Sequence, residues 1–328
     1  MKVLFIGGTG NISTPVSRLS VNKGIDLYLL TRGTVPVTIE GAKVIKADIN
    51  NPQHVQDGLK GHEWDVVVNW IAFTPDEIQR DIDLFKGKTR QYIFISSASV
   101  YQKPPLHPVI TESTPLYNPF WQYSRDKIAC EELLNKAYQD EDFPITIIRP
   151  SLTYDTVIPV TFGGWKNYNI VDRIRQGKEI IIQGDGSSLW TITHADDFAV
   201  GVVGLFGHQQ AMGHAFHITS DEILTWNQVY EAVGDAVGCK LNVVHIASDF
   251  ICKVDPEKTG TLLGDKALSV IFDNTKIKTF VPEFNATITF KVGIKRTIDW
   301  FEADPSRMVI DPEAEAQIEK ILGAYNGS

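Results

Sequence analysis

Short runs of β-branched and large apolar residues recur through the first half of the chain, at positions 3–6, 27–30, 66–68, 92–95 and 145–148. Each is continuous rather than alternating, the pattern of a strand buried on both faces. Amphipathic stretches separate them and predict helices over 12–22, 54–59, 76–85 and 123–138; a further strand is placed to end at Asp48. Strand–helix alternation of this kind predicts an α/β fold, a doubly wound parallel sheet closed by right-handed crossovers. After Pro150 the texture changes. Glycine, proline and aromatic residues break the pattern over 151–189, leaving one helix near 170–176. Further helices are predicted over 195–206 and 226–237, a late strand over 285–292, and a surface helix in the Glu- and Ala-rich tail after Asp311.

Composition narrows the class without naming a function. The 328 residues are 43% hydrophobic and 22% charged, ample for a large core. A net charge of −9 disfavours general binding to nucleic acid or anionic membrane, which needs clustered Lys and Arg. Cys130, Cys239 and Cys252 are widely separated, with no ligand spacing for a metal, and suit a reducing cytoplasm; no metal is expected. The apolar run at the N-terminus is too short for a signal peptide or a membrane span.

The first strand runs into Gly7-Gly8-Thr9-Gly10-Asn11-Ile12-Ser13. Glycines at 7 and 10 permit a tight turn and a close approach of backbone N–H groups to a pyrophosphate, at the positive end of the following helix. Such a loop predicts a dinucleotide site, so residues 1–150 are expected to form a Rossmann domain. Segments near 191–222 are expected to return to it, leaving 151–190 and 223–328 as a smaller C-terminal substrate lobe. The second strand ends at Thr31-Arg32, with no acidic residue to grip a ribose 2′-hydroxyl. Arg32 could instead meet a 2′-phosphate, pointing to NADP over NAD, or be a solvated turn residue. Asp48 is placed to touch the adenine, or to cap the helix after Asn51-Pro52.

Tyr123 and Lys127 are one helical turn apart. An ammonium there would favour the phenolate, lowering the tyrosine pKa and making it a base for a substrate hydroxyl while hydride leaves the carbon for nicotinamide. The fifth strand leads into Ser96-Ser97-Ala98-Ser99-Val100-Tyr101, which offers a hydroxyl to orient the reacting oxygen. With Asn69-Trp70-Ile71-Ala72, Arg149-Pro150…Tyr154 and Gly184-Asp185-Gly186…His194-Ala195-Asp196-Asp197, the chain resembles the extended short-chain dehydrogenase/reductase family of nucleotide-sugar epimerases and dehydratases. That resemblance implies Ser97, Tyr123 and Lys127 as catalytic residues. It implies a cofactor wall of Gly7, Gly10, Asn11, Ile12, Thr31, Arg32, Asp48, Ile49, Asn69, Ile71, Ala72, Ser96, Tyr123, Lys127 and Pro150, and a homodimer.

Departures from the family pattern bear on the reaction. Where water-eliminating members carry Asp-Glu, Ala98-Ser99 stand, which disfavours a 4,6-dehydratase; the glutamate usual in decarboxylases is missing too. The run fits an epimerase or a simple reductase. Trp190 stands where diphosphosugar enzymes place an arginine, so Arg173, Arg175 or Lys166 would have to serve, or the substrate is not a nucleotide diphosphosugar. Ser99, Trp165 and Trp190 are the expected substrate contacts, with Tyr168 a further pocket aromatic. His194 reads as a packed residue, and Asp196 and Asp197 as caps of a helix beginning near 199. The glycine loop and Trp165-Lys166-Asn167-Tyr168-Asn169 also resemble chloroplast stem-loop-binding proteins, a divergent branch linked to RNA. Those proteins lack the tyrosine of the Tyr/Lys pair, which this chain keeps. The expected partner is therefore a sugar or sugar nucleotide, with nucleic acid disfavoured; a dinucleotide-binding scaffold without turnover is the remaining alternative.

Overall fold

Seven parallel strands build the central sheet: β1 (Lys2–Ile6), β2 (Asp26–Thr31), β3 (Lys43–Lys46), β4 (Val66–Asn69), β5 (Tyr92–Ile95), β6 (Ile145–Arg149) and β7 (His214–His217). Their spatial order is β7-β6-β5-β4-β1-β2-β3. The computed structural model describes residues 1–34 and 38–327. Strand order reverses between β1 and β4, which opens a crevice beyond their C-terminal ends. The continuous apolar runs have the expected cause. Val3, Phe5, Val66, Val68 and Ile93 face one layer, while Leu4, Val67, Tyr92 and Phe94 face the other. Helices α1 (Ser13–Asn22) and α6 (Ala195–Gly204) pack together on the first face; α3 (Pro75–Phe85) and α4 (Gln122–Glu141) supply the second, with α2 (Pro52–Leu59).

Beyond β6 a separate apolar cluster forms around Tyr154, Ile182, Trp190, Trp226 and Tyr230. It is built from α5 (Asn169–Arg175), α7 (Trp226–Val237) and the helix Phe290–Glu302, and a parallel strand pair, Glu179–Gln183 with Asn242–Ile246, packs against them. The 195–206 and 226–237 helices are found close to their expected bounds. The late strand expected over 285–292 is not formed. Its alternation ends at Thr289, and Phe290, Gly293, Ile294, Thr297, Ile298 and Phe301 are buried at helical spacing. Gly293 is what lets this helix dock, because a Cβ there would lie 2.0 Å from the Tyr154 hydroxyl. Asp196 and Asp197 are not caps either. Helix α6 starts at Ala195 with the His194 ring accepting from the Asp196 N–H, and Asp197 accepts from the Ile288 N–H. The tail helix, Pro312–Asn326, is more than a surface element, since it buries Ile318, Ile321 and Leu322.

Candidate active site

The turn after β1 needs backbone that side chains resist. Gly7 and Gly8 have φ of 93° and 101°, and a Cβ on Gly8 would lie 2.8 Å from Leu29 Cδ2. Gly8 rather than Gly10 therefore carries the steric demand. Gly10 is held differently, its N–H donating to Ser13 Oγ at 2.8 Å. Asn11 spends its side chain on the loop after β6: its amide donates to the Thr153 carbonyl and its oxygen accepts from the Asp155 N–H. The predicted cofactor residue Asn11 thus ties the glycine turn to the opposite wall of the crevice.

That crevice runs in two connected stretches. One is lined by Thr31, Arg32, Asp48, Ile49, Phe73 and Glu77, the other by the glycine loop, Ser96, Ser97, Tyr123, Pro150 and Trp165; Gly7, Thr9 and Ile71 belong to both. Of the expected cofactor residues, Asn69, Ala72 and Lys127 lie behind the wall rather than on it. Asn69 is fully buried; its oxygen accepts from the Ile71 and Ala72 N–H groups while its amide donates to Asp81. Tyr92 and Arg80 also donate to Asp81, so this anchor fixes the loop after β4. Ser96 donates its hydroxyl to Glu131 at 2.5 Å, the same carboxylate that Arg149 grips with two nitrogens. Its side chain is therefore committed away from the reacting groups.

Helix α4 places Tyr123 on the crevice wall and Lys127, one turn further on, behind it. Lys127 donates to the carbonyls of Ala72 and Ile95 at 2.7 and 2.8 Å, and its ammonium is 5.8 Å from the Tyr123 ring centroid. Burial lowers its pKa to about 8. The expected lowering of the Tyr123 pKa is not what this arrangement gives. Burial raises it, a hydrogen bond from Ser97 opposes that, and the Asp265 carboxylate adds to the rise. The lysine spends its hydrogen bonds on two carbonyls, and burial of the phenol favours its protonated form.

Ser97, Tyr123, Pro150, Ser151, Leu152 and Trp165 line both this crevice and a second cavity of about 490 Å³. The remaining wall of that cavity includes Ser99, Lys103, Trp121, Thr161, Trp190, Lys258, Asp265 and Lys266. The Ser99 hydroxyl bridges Ser97 and Ser124 at 2.9 and 2.8 Å, so it orients Ser97 from inside the cavity wall. Trp190 is buried and stacks on Trp226. Trp165 is 45% exposed and has a φ of 65°, unusual for an aromatic residue and held by two backbone bonds to Ile158. Tyr168, Arg173, Arg175 and Lys166 are outside this wall. Tyr168 and Arg175 bind Glu302; Arg173 binds Glu315, Glu319 and the Glu179 carbonyl. Among the described residues no cluster of three or more His, Cys, Asp or Glu side chains could hold a metal, and no helix is long and apolar enough to cross a membrane.

Residues 3–219 match the NAD dependent epimerase/dehydratase family. The chain belongs to that family. Its relatives include a 2′-dehydrokanamycin reductase of Streptomyces kanamyceticus, 22% identical over 76% of this chain and 70% of the relative. Another is the chloroplast stem-loop binding protein of 41 kDa b of Arabidopsis thaliana, 26% identical over 72% of this chain and 63% of the relative. The UDP-glucuronic acid 4-epimerase of Bacillus cereus, solved with NAD, has the same fold, with a TM-score of 0.72 at 17% identity over 94% of this chain and all of that one. Membership explains the glycine crevice. It does not account for Lys103, Lys258, Asp265 and Lys266, which sequence reasoning missed. Lys103 lies in the loop after β5 and the other three in the helical segment 256–266, without motif spacing, so only folding puts them on one cavity.

Proposed function

We propose that this enzyme moves hydride between a nicotinamide dinucleotide and a secondary carbinol of a sugar or sugar nucleotide, oxidising and re-reducing it as an epimerase. The observation that carries this reading is that Ser97 and Tyr123 lie on the wall shared by the glycine crevice and the 490 Å³ cavity. A substrate in the cavity and a dinucleotide in the crevice would meet at these two hydroxyls. The crevice fits such a group: the positive-φ glycine turn leaves room for phosphate at the start of α1, and Thr31, Arg32 and Asp48 line the end where an adenosine would lie. When bound, the nicotinamide ring supplies the hydride acceptor and donor.

Ser97 holds the substrate oxygen and Tyr123 exchanges the proton on it. Oxidation needs the tyrosine as phenolate and the return step needs it as phenol; its raised pKa favours the latter. Lys127 fixes the wall through its two carbonyl contacts and presents a cation beneath the phenol ring. Ala98 and Ser99 supply no carboxylic acid for eliminating water, which supports epimerisation over dehydration. The likeness to a 2′-dehydrokanamycin reductase supports a second reading, one-way ketone reduction at the same residues. Exposed Arg32 at the adenosine end supports use of NADP. The retained Tyr123 and Lys127 and the acidic balance support an enzyme over an RNA binder. We also infer a homodimer in the cytoplasm.

The test is to identify by mass spectrometry whatever dinucleotide the purified protein carries, then compare Tyr123→Phe with the unaltered enzyme. The expected result is a bound or readily bound dinucleotide and turnover reduced by about 10²-fold or more, with dinucleotide affinity within about twofold. Full turnover in Tyr123→Phe, or no dinucleotide binding, would overturn the reading.

A further inference from the structure

Trp121 is an unusual residue for its place in the chain. It starts α4 with extended backbone, φ −128° and ψ 117°, and its side chain makes no capping hydrogen bond. Helices start best on Ser, Thr, Asp or Asn, whose side chains pair a free N–H of the first turn. A large aromatic ring there breaks that local rule, and such breaks concentrate at functional sites. The ring is spent instead on Tyr123, two residues on: the ring centroids are 4.9 Å apart at an interplanar angle of 44°. Phe73, at 6.2 Å, is the other aromatic ring against that phenol among the described residues.

The contacts that hold Trp121 against Tyr123 come from the second half of the chain. A helical segment over Thr259–Thr261 widens to a π-helical turn at Leu262–Lys266, a form that recurs at functional sites. It docks on residues 118–121 through two glycines. A Cβ on Gly260 would lie 2.4 Å from Trp121 Cδ1, and one on Gly264 would lie 3.2 Å from Trp121 Cβ. Asn118, 1% exposed, ties the same junction, its amide donating to the Ser99 and Gly264 carbonyls at 2.9 and 2.8 Å. Trp121 and Asp265, which follows Gly264, both line the 490 Å³ cavity with Tyr123.

We propose that Trp121 is a positioning residue for Tyr123: wedged by Gly260, its indole fixes the angle of the phenol ring and excludes water from it. The inference rests on the proposed proton exchange at Tyr123 and names what sets that group. A wedge on the flank of the ring removes freedom at the hydroxyl, where a misplacement of about 1 Å costs about 10²-fold in rate. Excluding water also favours the protonated phenol, the direction in which burial shifts Tyr123. Two charged groups face the phenol. The Asp265 carboxylate adds to the rise, and the Lys127 ammonium lies 5.8 Å from the ring centroid. Asp265 is itself paired with Lys103 and Lys266 at 4.0 and 3.4 Å. Trp121 carries no charge, so it acts through geometry and solvation.

The experiment is fluorine NMR of the whole chain with 3-fluorotyrosine at its ten tyrosines, free of dinucleotide and substrate. The Tyr123 resonance is the one missing from Tyr123→Phe. Its titration with pH is followed in the unaltered protein, Trp121→Phe, Trp121→Ala and Gly260→Ala. Trp121→Ala is expected to admit water and move the titration to lower pH, raising the ionised fraction at a fixed pH below the midpoint by about threefold or more. Trp121→Phe keeps a ring and most of the unaltered titration. Gly260→Ala, whose added methyl displaces the indole, is expected to move the Tyr123 resonance without touching Tyr123. A merely structural role would lower the melting temperature of Trp121→Ala and leave the Tyr123 titration in place; that result overturns the proposal. So does a Trp121→Phe titration no nearer the unaltered one than that of Trp121→Ala. Should Trp121→Ala not fold, an unmoved Tyr123 resonance in Gly260→Ala overturns it equally. Failure of NAD to bind would sink the proposed function and leave this measurement standing.

Discussion

Lys127 shows how one buried charge is set by its surroundings. Two carbonyl oxygens and the faces of Phe73 and Phe94 replace its water, and the loss of solvation lowers its pKa to about 8. Tyr123 moves the other way, so in ketone reduction the phenol keeps its proton across the neutral range. For that direction kcat/KM is expected to be flat below about pH 8, where Lys127 is charged, and to fall up to about tenfold per unit above it as the ammonium is lost. A profile still flat at about pH 10 would remove the charge of Lys127 from the chemistry. The Tyr/Lys spacing was readable from the chain, because residues four apart share a helix face whatever surrounds them. The direction of the tyrosine shift was not, since it depends on burial and on Ser97 and Asp265, which only folding brings to the phenol.

At the scale of elements, the apolar runs and helix periods placed most of the Rossmann half. The errors have a common cause, local patterns with two meanings. Ala-Thr-Ile-Thr-Phe at 286–290 alternates like a strand, yet it is an extended lead-in to a helix whose buried face starts at Phe290. The glycine loop was legible as a loop, but which glycine bears the strain depends on Leu29 in the neighbouring strand. Gly8→Ala is expected to destabilise the protein by about 1–3 kcal/mol, from a backbone at φ 101° and a Cβ in contact with Leu29. Gly10→Ala, where φ is ordinary and the nearest atom is Ser13 Oγ at 3.4 Å, should cost little stability and act on dinucleotide affinity instead. Denaturant unfolding and dinucleotide titration of the two variants separate these outcomes; equal stability losses would refute the distinction.

For the whole molecule, the last helix is tied back by Arg173, buried between α5 and the tail, where it holds Glu315 and Glu319 at 2.6 Å. Arg173→Ala is expected to cost about 1–3 kcal/mol in unfolding free energy, from the loss of a buried guanidinium whose glutamate partners are partly solvated, with dinucleotide affinity unchanged. A loss of affinity comparable to the loss of stability would return Arg173 to the binding site. The chain alone determined the parallel sheet, the glycine turn and the Tyr/Lys pair, because each is written in residues close together whose spacing obeys the strand or helix period. Only the tertiary structure decided which hydroxyl is free, which arginines are already spent, and that lysines from positions 103, 258 and 266 share one cavity with Ser97. Those facts depend on desolvation and on contacts between residues far apart in sequence, and no local pattern encodes them.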